Sequence, residues 1–386
     1  MISLKPAQLS DESRPRVKRL VFLDNLRIFL TILVIAHHAA QPYGPTGGRW
    51  LLFNPERAQI LGAFFAVNAG FFMGLFFLIS GYFLPASFNR KGASLFLQDR
   101  LLRLGIPILI LVLWVIPWVL YKADPPSLSF WQFLSQQYWR MGALEFAHLW
   151  FLVHLLVYAI GYTLSRWIRR SQPRPTTQLN PPSNRWIAFY ALGLAIVTFI
   201  TRIHYPIDTW VKILDFIPSE VAHLPQYASL FLIGILAYRH DWLNRMPSRR
   251  ALLWLGIGLG AVALRYGYTG IGSDALPDLF VGGGWDGRSL LASLWESCLC
   301  VGLCLGLLVL FRDYLNQPSR FQKMLAANAY TTYLIHIFIV IGIQFLVASY
   351  PLHPFLKFVV VTVISTPLCF LLSQGLRQLP FASRVL

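Results

Sequence analysis

The chain has 386 residues, 56% of them hydrophobic and only 13% charged, with a formal net charge of +17. Soluble domains carry about 25% charged residues, so this composition excludes a water-soluble globular protein and leaves an all-α, polytopic membrane helix bundle. The basic excess falls in short clusters between apolar runs, which is a topology signal and excludes a nucleic-acid-binding face.

Residues 1–19 read as a basic cytoplasmic tail in which Arg14, Arg16, Lys18 and Arg19 precede the first apolar run. That run, Leu20 to Ala40, is long enough to span a bilayer, and Asp24 and Arg27 interrupt it, so it reads as a retained span and not a cleaved signal. A Pro- and Gly-rich loop follows, then a second span from about Ile60 to Leu84. Asn89 to Arg103 mixes basic and apolar residues as a surface-lying segment does, and span three, about Leu101 to Tyr121, carries Pro107 and Pro117 as expected kinks. The aromatic stretch SFWQFLSQQYWR suits an interface, and span four covers about Ala147 to Trp167. QPRPTTQLNPPSN, flanked by arginines, reads as a cytoplasmic hinge between two halves.

Spans five to ten follow at about Trp186–Ile203, Gln226–Tyr238, Ala251–Tyr266, Ser289–Phe311, Leu325–Val347 and Phe355–Leu376, with 378–386 as a C-terminal tail. Residues 20–377 thus form a single ten-span domain. Most of the 33 Lys and Arg fall in the segments that an even count places on one side, so both termini are expected in the cytoplasm. Gly256, Gly258 and Gly260 sit inside span seven, where no strand precedes them, and predict close helix packing in place of a nucleotide loop. The four cysteines all lie in apolar runs without metal-binding spacing, and no metal is expected.

Ionisable residues inside apolar spans are costly and mark candidate sites. Arg27 and His38 lie about three helical turns apart on one face, with about 16 Å between them. His37 is turned about 100° away and reads as a helix-face residue with a satisfied hydrogen bond. Glu296 is expected about two turns below the outer surface, His336 near mid-depth one turn after Tyr333, and His148 and Trp150 at the outer mouth of span four. Arg100 and Arg103 are one turn apart at the cytoplasmic mouth of span three. Spacing alone makes them ordinary positive-inside residues, although the same pair is suited to clamping a phosphate.

FLDNLRIFLTILVIAHHAAQPYG resembles the opening helix of the acyltransferase-3 family, whose signature is an arginine and a histidine separated by ten residues, here Arg27 and His38. QDRLLRLGIP resembles its RxxR element (Arg100, Arg103), HLWFLVHLL its fourth-span block (His148, Trp150), and ANAYTTYLIHIFIV its late block (Asn328, Tyr330, Tyr333, His336). The resemblance implies a multi-pass enzyme of the inner membrane that moves an acetyl or succinyl group from cytoplasmic acyl-CoA, used as a substrate with no bound cofactor, to an extracytoplasmic glycan or lipid-linked acceptor. It raises Arg100 and Arg103, with Arg27, to donor-binding candidates. His38 suits the general base, Tyr333, His336 or Trp150 an oxyanion donor, and Glu296 a further catalytic position. A proton-coupled transporter using His38, Glu296 and His336 is the competing class. It predicts inverted repeats with interrupted helices, which the sequence does not display.

Overall fold

The computed structural model describes residues 20–45, 50–124, 126–140, 142–168, 178–271, 279–380 and 382–386. The basic tail 1–19 lies outside the described residues, as do residues 172–177 of the hinge. The helices run in chain order as α1 (Val21–Ala40), α2 (Ile60–Ala69), α3 (Phe72–Arg100), α4 (Ile106–Ile110), α5 (Ile116–Ala123), α6 (Phe130–Phe133), α7 (Trp150–Ile168) and α8 (Asn184–His204). A two-stranded hairpin, β1 (Trp210–Ile213) and β2 (Ile217–Glu220), leads into α9 (Leu224–Arg239). Then come α10 (Trp242–Arg245), α11 (Ser248–Ile271), α12 (Gly287–Tyr314), α13 (Arg320–Ala348), α14 (Pro354–Arg377) and α15 (Ala382–Val385).

Among the described residues, nine helical runs are long and apolar enough to cross a membrane, where the sequence predicts ten spans. The difference lies in Ile60–Ala123, a run of 64 residues that contains both the second and the third expected span. Between them the chain is not continuously helical: at Gly92, whose φ of 73° and ψ of 170° lie outside the helical region, one helix gives way to the next, and Lys91 closes the corner with Asp99 at 2.8 Å. Further on, π turns at Leu101–Gly105 and Leu111–Val115 each end two residues before a proline, Pro107 and Pro117. Proline lacks an N–H and clashes with the preceding turn, and widening that turn accommodates both.

Two helix pairs pack backbone to backbone through glycine. A Cβ on Gly81 of α3 would stand 2.1 Å from the Phe231 carbonyl of α9, and one on Gly234 would stand 2.1 Å from the Leu78 carbonyl. In the same way Gly302 of α12 meets the Trp254 carbonyl of α11 at 2.5 Å, and Gly258 faces Leu303. Of the three glycines expected to pack in span seven, only Gly258 does so; Gly256 and Gly260 face open space. Lipid supplies little hydrophobic drive between helices, so such close approach is what holds them. The main core then gathers Leu26, Leu30 and Val34 of α1 with Phe77 of α3, Leu149, Leu299 of α12 and Leu334 of α13.

The hairpin is absent from the sequence expectation. Trp210 pairs with Glu220 and Ile213 with Ile217, and the turn uses Leu214 and Asp215 at positive φ (54° and 64°). Its strands are too short for periodicity to separate from loop. It stands at the bundle end that also holds the C-terminus of α1 and the N-terminus of α7, since β2 packs on α7 and Ile207 bonds to Gly282 ahead of α12.

Candidate functional site

His38 lies in the last turn of α1, where helix carbonyls lack intrahelical donors. Gln344 of α13 supplies them, donating from Nε2 to the carbonyls of His38 (2.9 Å) and Ala39 (3.2 Å) while its Oε1 accepts from Trp50 Nε1 at 2.8 Å. Gln344 is fully buried and was not foreseen from sequence. Trp50 also stacks on the His38 ring with centroids 5.8 Å apart.

Three imidazoles from three parts of the chain then meet. His336 of α13 lies with its ring centre 4.9 Å from His38 and 5.0 Å from His148, which precedes α7. Their tautomers follow from the acceptors around them, because a carbonyl accepts and never donates. His336 Nδ1 is 2.6 Å from the Tyr333 carbonyl and therefore carries the hydrogen, leaving Nε2 bare in a neutral ring. His38 Nδ1 lies 3.2 Å from that bare nitrogen and 2.9 Å from the Val34 carbonyl, so it too carries its hydrogen. A neutral His38 is left with its lone pair on Nε2. His148 Nε2 donates to the Leu334 carbonyl at 3.1 Å, and the Tyr333 hydroxyl donates to the His148 carbonyl. Tyr333 thereby fixes His148, and its proton is already engaged. His37 departs from expectation: its ring packs among Phe64, Phe65 and Phe72, and its buried Nδ1 has no hydrogen-bond partner among the described residues.

Glu296 joins a different cluster from His38, His148 and His336. Arg202 of α8, fully buried, donates from Nη2 to both Glu296 oxygens at 2.7 and 2.8 Å. His223 Nε2 lies 3.3 Å from the same carboxylate, and its Nδ1 lies 3.0 Å from Glu220 at the end of β2. Arg202, Glu296, His223 and Glu220 thus form a continuous buried ion chain from α12 to the hairpin. Burial pushes the Glu220 carboxyl up, but His223, the Asp208 amide and Arg202 outweigh it and hold the group below its ordinary range. Asp208 beside it is raised by burial and by Glu220. Arg202, His223 and Glu220 were all missed from sequence. Trp150 packs edge-on to Trp210 at 5.7 Å and against Tyr227 at 5.3 Å, and Tyr227 in turn stacks on His223.

The arginines lie towards the opposite end. Arg27 is 37% exposed and 3.9 Å from Asp24. Arg100 lies over the Phe96 ring, while Arg103, half exposed, pairs with Asp99 at 3.4 Å. The Tyr330 hydroxyl donates to the Arg103 carbonyl, so this segment docks on α13 one turn before Tyr333. Asn328, at the same end of α13, accepts from Arg377 at 3.1 Å.

Apolar helices long enough to span a membrane, with titratable side chains converging inside them, define a polytopic membrane protein with a buried polar cluster. The chain belongs to the acyltransferase-3 family: that family's acyltransferase domain matches residues 20–374. Among curated proteins it is similar to glucans biosynthesis protein C of Salmonella schwarzengrund (strain CVM19633), 28% identical over 262 residues that cover 64% of this chain and 66% of that protein. The proteins of the same name from Salmonella agona (strain SL483) and Salmonella heidelberg (strain SL476) match with the same identity and coverage. The chain therefore spans slightly under two thirds of the length of these relatives. No solved structure matches it.

Proposed function

We propose that the protein moves an acyl group, acetyl or succinyl, from cytoplasmic acyl-CoA to an extracytoplasmic glucan or related glycan, as a multi-pass protein of the inner membrane with both termini in the cytoplasm. The observation that carries this is the bare Nε2 of His38, left free by two hydrogen bonds that fix the other nitrogens. As the acceptor oxygen attacks the thioester carbonyl carbon, His38 Nε2 takes the hydroxyl proton. The C–S bond then breaks, and the leaving thiolate recovers that proton from the imidazolium, so the ring ends as it began. His336 and His148 act on His38 as positioning residues, holding its tautomer and ring plane. Glu296, engaged by Arg202, serves the site's architecture and does not touch the reacting atoms. Arg27, about 16 Å along α1 from His38, cannot reach the same carbonyl and instead meets the donor's pantetheine, with Arg100 and Arg103 at its phosphates. The name of the relatives supports a glucan as acceptor.

The test incubates membranes containing the protein with labelled acetyl-CoA or succinyl-CoA and a glycan extract. Wild type transfers label, and His38→Gln falls by about 10²–10⁴-fold, the usual worth of a general base. Equal transfer by the two proteins refutes the assignment.

A further inference from the structure

The hairpin is fastened more firmly than a connecting loop requires. Ser219 lies 2.9 Å from His154 Nε2 on α7, and the next residue, Glu220, enters the ion chain to His223, Glu296 and Arg202. Glu220 also accepts from the Asp208 amide at 3.1 Å, and Lys212 of β1 donates to the Gly142 carbonyl at 2.6 Å. These ties hold one side chain that is left open. Trp210, cross-strand from Glu220, remains 48% exposed. Its indole stands at 70° to that of Trp150, with ring centres 5.7 Å apart. Trp150 follows His148 by two positions, and the His148 ring touches His336. An aromatic corner therefore runs from the exposed hairpin to within one helical step of the imidazole cluster.

An exposed tryptophan also suits the lipid interface, where one indole suffices; here the Trp210 ring packs on a second indole, and its strand partner Glu220 joins a buried ion chain. Two indoles inclined at 70° present flat apolar faces with polar edges, and Lys212 of the same strand pairs with Glu145 at 3.9 Å. A pyranose ring has the matching chemistry, with apolar C–H faces and a hydroxylated rim. We infer that Trp210 and Trp150 form a binding subsite for a pyranose ring of a neutral glycan acceptor, and that Glu220, through His223, Glu296 and Arg202, is the positioning residue that keeps Trp210 there. The inference rests on the proposed glycan acceptor, and it has a readout independent of acyl transfer.

Binding of maltohexaose and cellohexaose to the full chain in nanodiscs is measured by calorimetry for wild type, Trp210→Ala, Trp210→Phe, Glu220→Gln and Trp285→Ala. Trp285 is 82% exposed, so Trp285→Ala controls for loss of an exposed indole outside the corner. Wild type binds at least one of the two sugars. Trp210→Ala weakens it about tenfold or more, Trp210→Phe restores most of the loss, and Trp285→Ala matches wild type. Glu220→Gln weakens binding in the same direction and speeds amide exchange across residues 210–220, which a merely local role of the carboxylate would not do. In the transfer assay the Trp210→Ala loss falls on the acceptor KM. Sugar binding that is lost in Trp210→Ala by a protein inactive with every acyl-CoA keeps the subsite and sinks the acyl-transfer reading. Acyl transfer with an unaltered acceptor KM in Trp210→Ala does the reverse. Wild type that binds neither sugar and acylates no glycan overturns the subsite.

Discussion

Glu296→Gln separates a structural carboxylate from a reacting one. The Arg202 and Glu296 side chains are 0% and 8% exposed, so neither charge has water to fall back on when its partner goes. Arg202 Nε and Nη1 have no hydrogen-bond partner among the described residues, which leaves the two contacts to Glu296 as the side chain's recorded anchoring. Stranding one member of such a pair costs about 3–5 kcal/mol. In detergent the unfolded chain also finds partners for its polar groups, so the lower end, about 3 kcal/mol, applies. That is roughly a hundredfold in the folding equilibrium. The assay is reversible unfolding in mixed micelles titrated with SDS, on wild type, Glu296→Gln, Arg202→Met and Arg202→Met/Glu296→Met. The double variant removes both charges together and is expected to cost no more than either single one, giving a coupling of about 2 kcal/mol or more. Additive losses, or a Glu296→Gln variant within about 1 kcal/mol of wild type that has nonetheless lost all transfer, would refute the ion-pair role and return Glu296 to the reaction.

Arg100→Ala and Arg103→Ala are each expected to raise the acyl-CoA KM about tenfold while the acceptor KM stays, measured with labelled donor; a rise in the acceptor KM instead removes them from the donor end. Gly81→Val puts carbon atoms where the Phe231 carbonyl already stands 2.1 Å away, and separating α3 from α9 is expected to cost about 3 kcal/mol or more by SDS titration. Gly256→Val, in open space on α11, serves as the neutral comparison. For pH, Glu220 has a folded-state value below its ordinary 4.5, so its contribution is fully present above 4.5 and is lost as pH falls through the lower folded value. Amide protection of the hairpin should therefore hold level from about pH 8 to 5 and fall only in stronger acid. Loss of protection on the alkaline side instead would assign the transition to a different group.

The Arg27 and His38 relation was legible because one helix fixes both face and separation, and α1 keeps that register from Val21 to Ala40. The meeting of His38 with His336 was not, since depth along separate helices leaves their rotation about each axis open. Gln344 was silent for a similar reason, being a glutamine among apolar residues whose partners are backbone carbonyls on another helix. Glu296 was visible as an isolated charge, and the rule that such a charge needs a partner was the signal that would have found Arg202. Arg202 lies near the end of the expected span five, Trp186–Ile203, and carries no local signal of its own. His223 and Glu220 fell in what read as a loop, because WVKILDFIPSE is too short and too mixed to announce two strands. The second and third expected spans both lie within the run Ile60–Ala123, and the corner between their helices falls at Gly92, inside the basic segment Asn89–Arg103 that the sequence places between them.

The separation of the two polar clusters has its own logic. A nearby carboxylate favours the charged imidazolium and so raises the fraction of a histidine that is already protonated. The ring nitrogens of the histidine cluster bond to backbone carbonyls and another imidazole, with no carboxylate among these partners. The carboxylates of Glu296 and Glu220 belong to the other cluster, where Arg202 and His223 face them. With an imidazolium at His223, the two cations and two anions of that chain sum to zero, and a neutral set of charges has little field at a distance. The ion chain can therefore brace the hairpin and Trp210 at the same end of the bundle as His38 without adding a net charge there. Replacing Arg202 would cost stability first, and would then leave the Glu296 charge uncompensated at the same end of the bundle as the base.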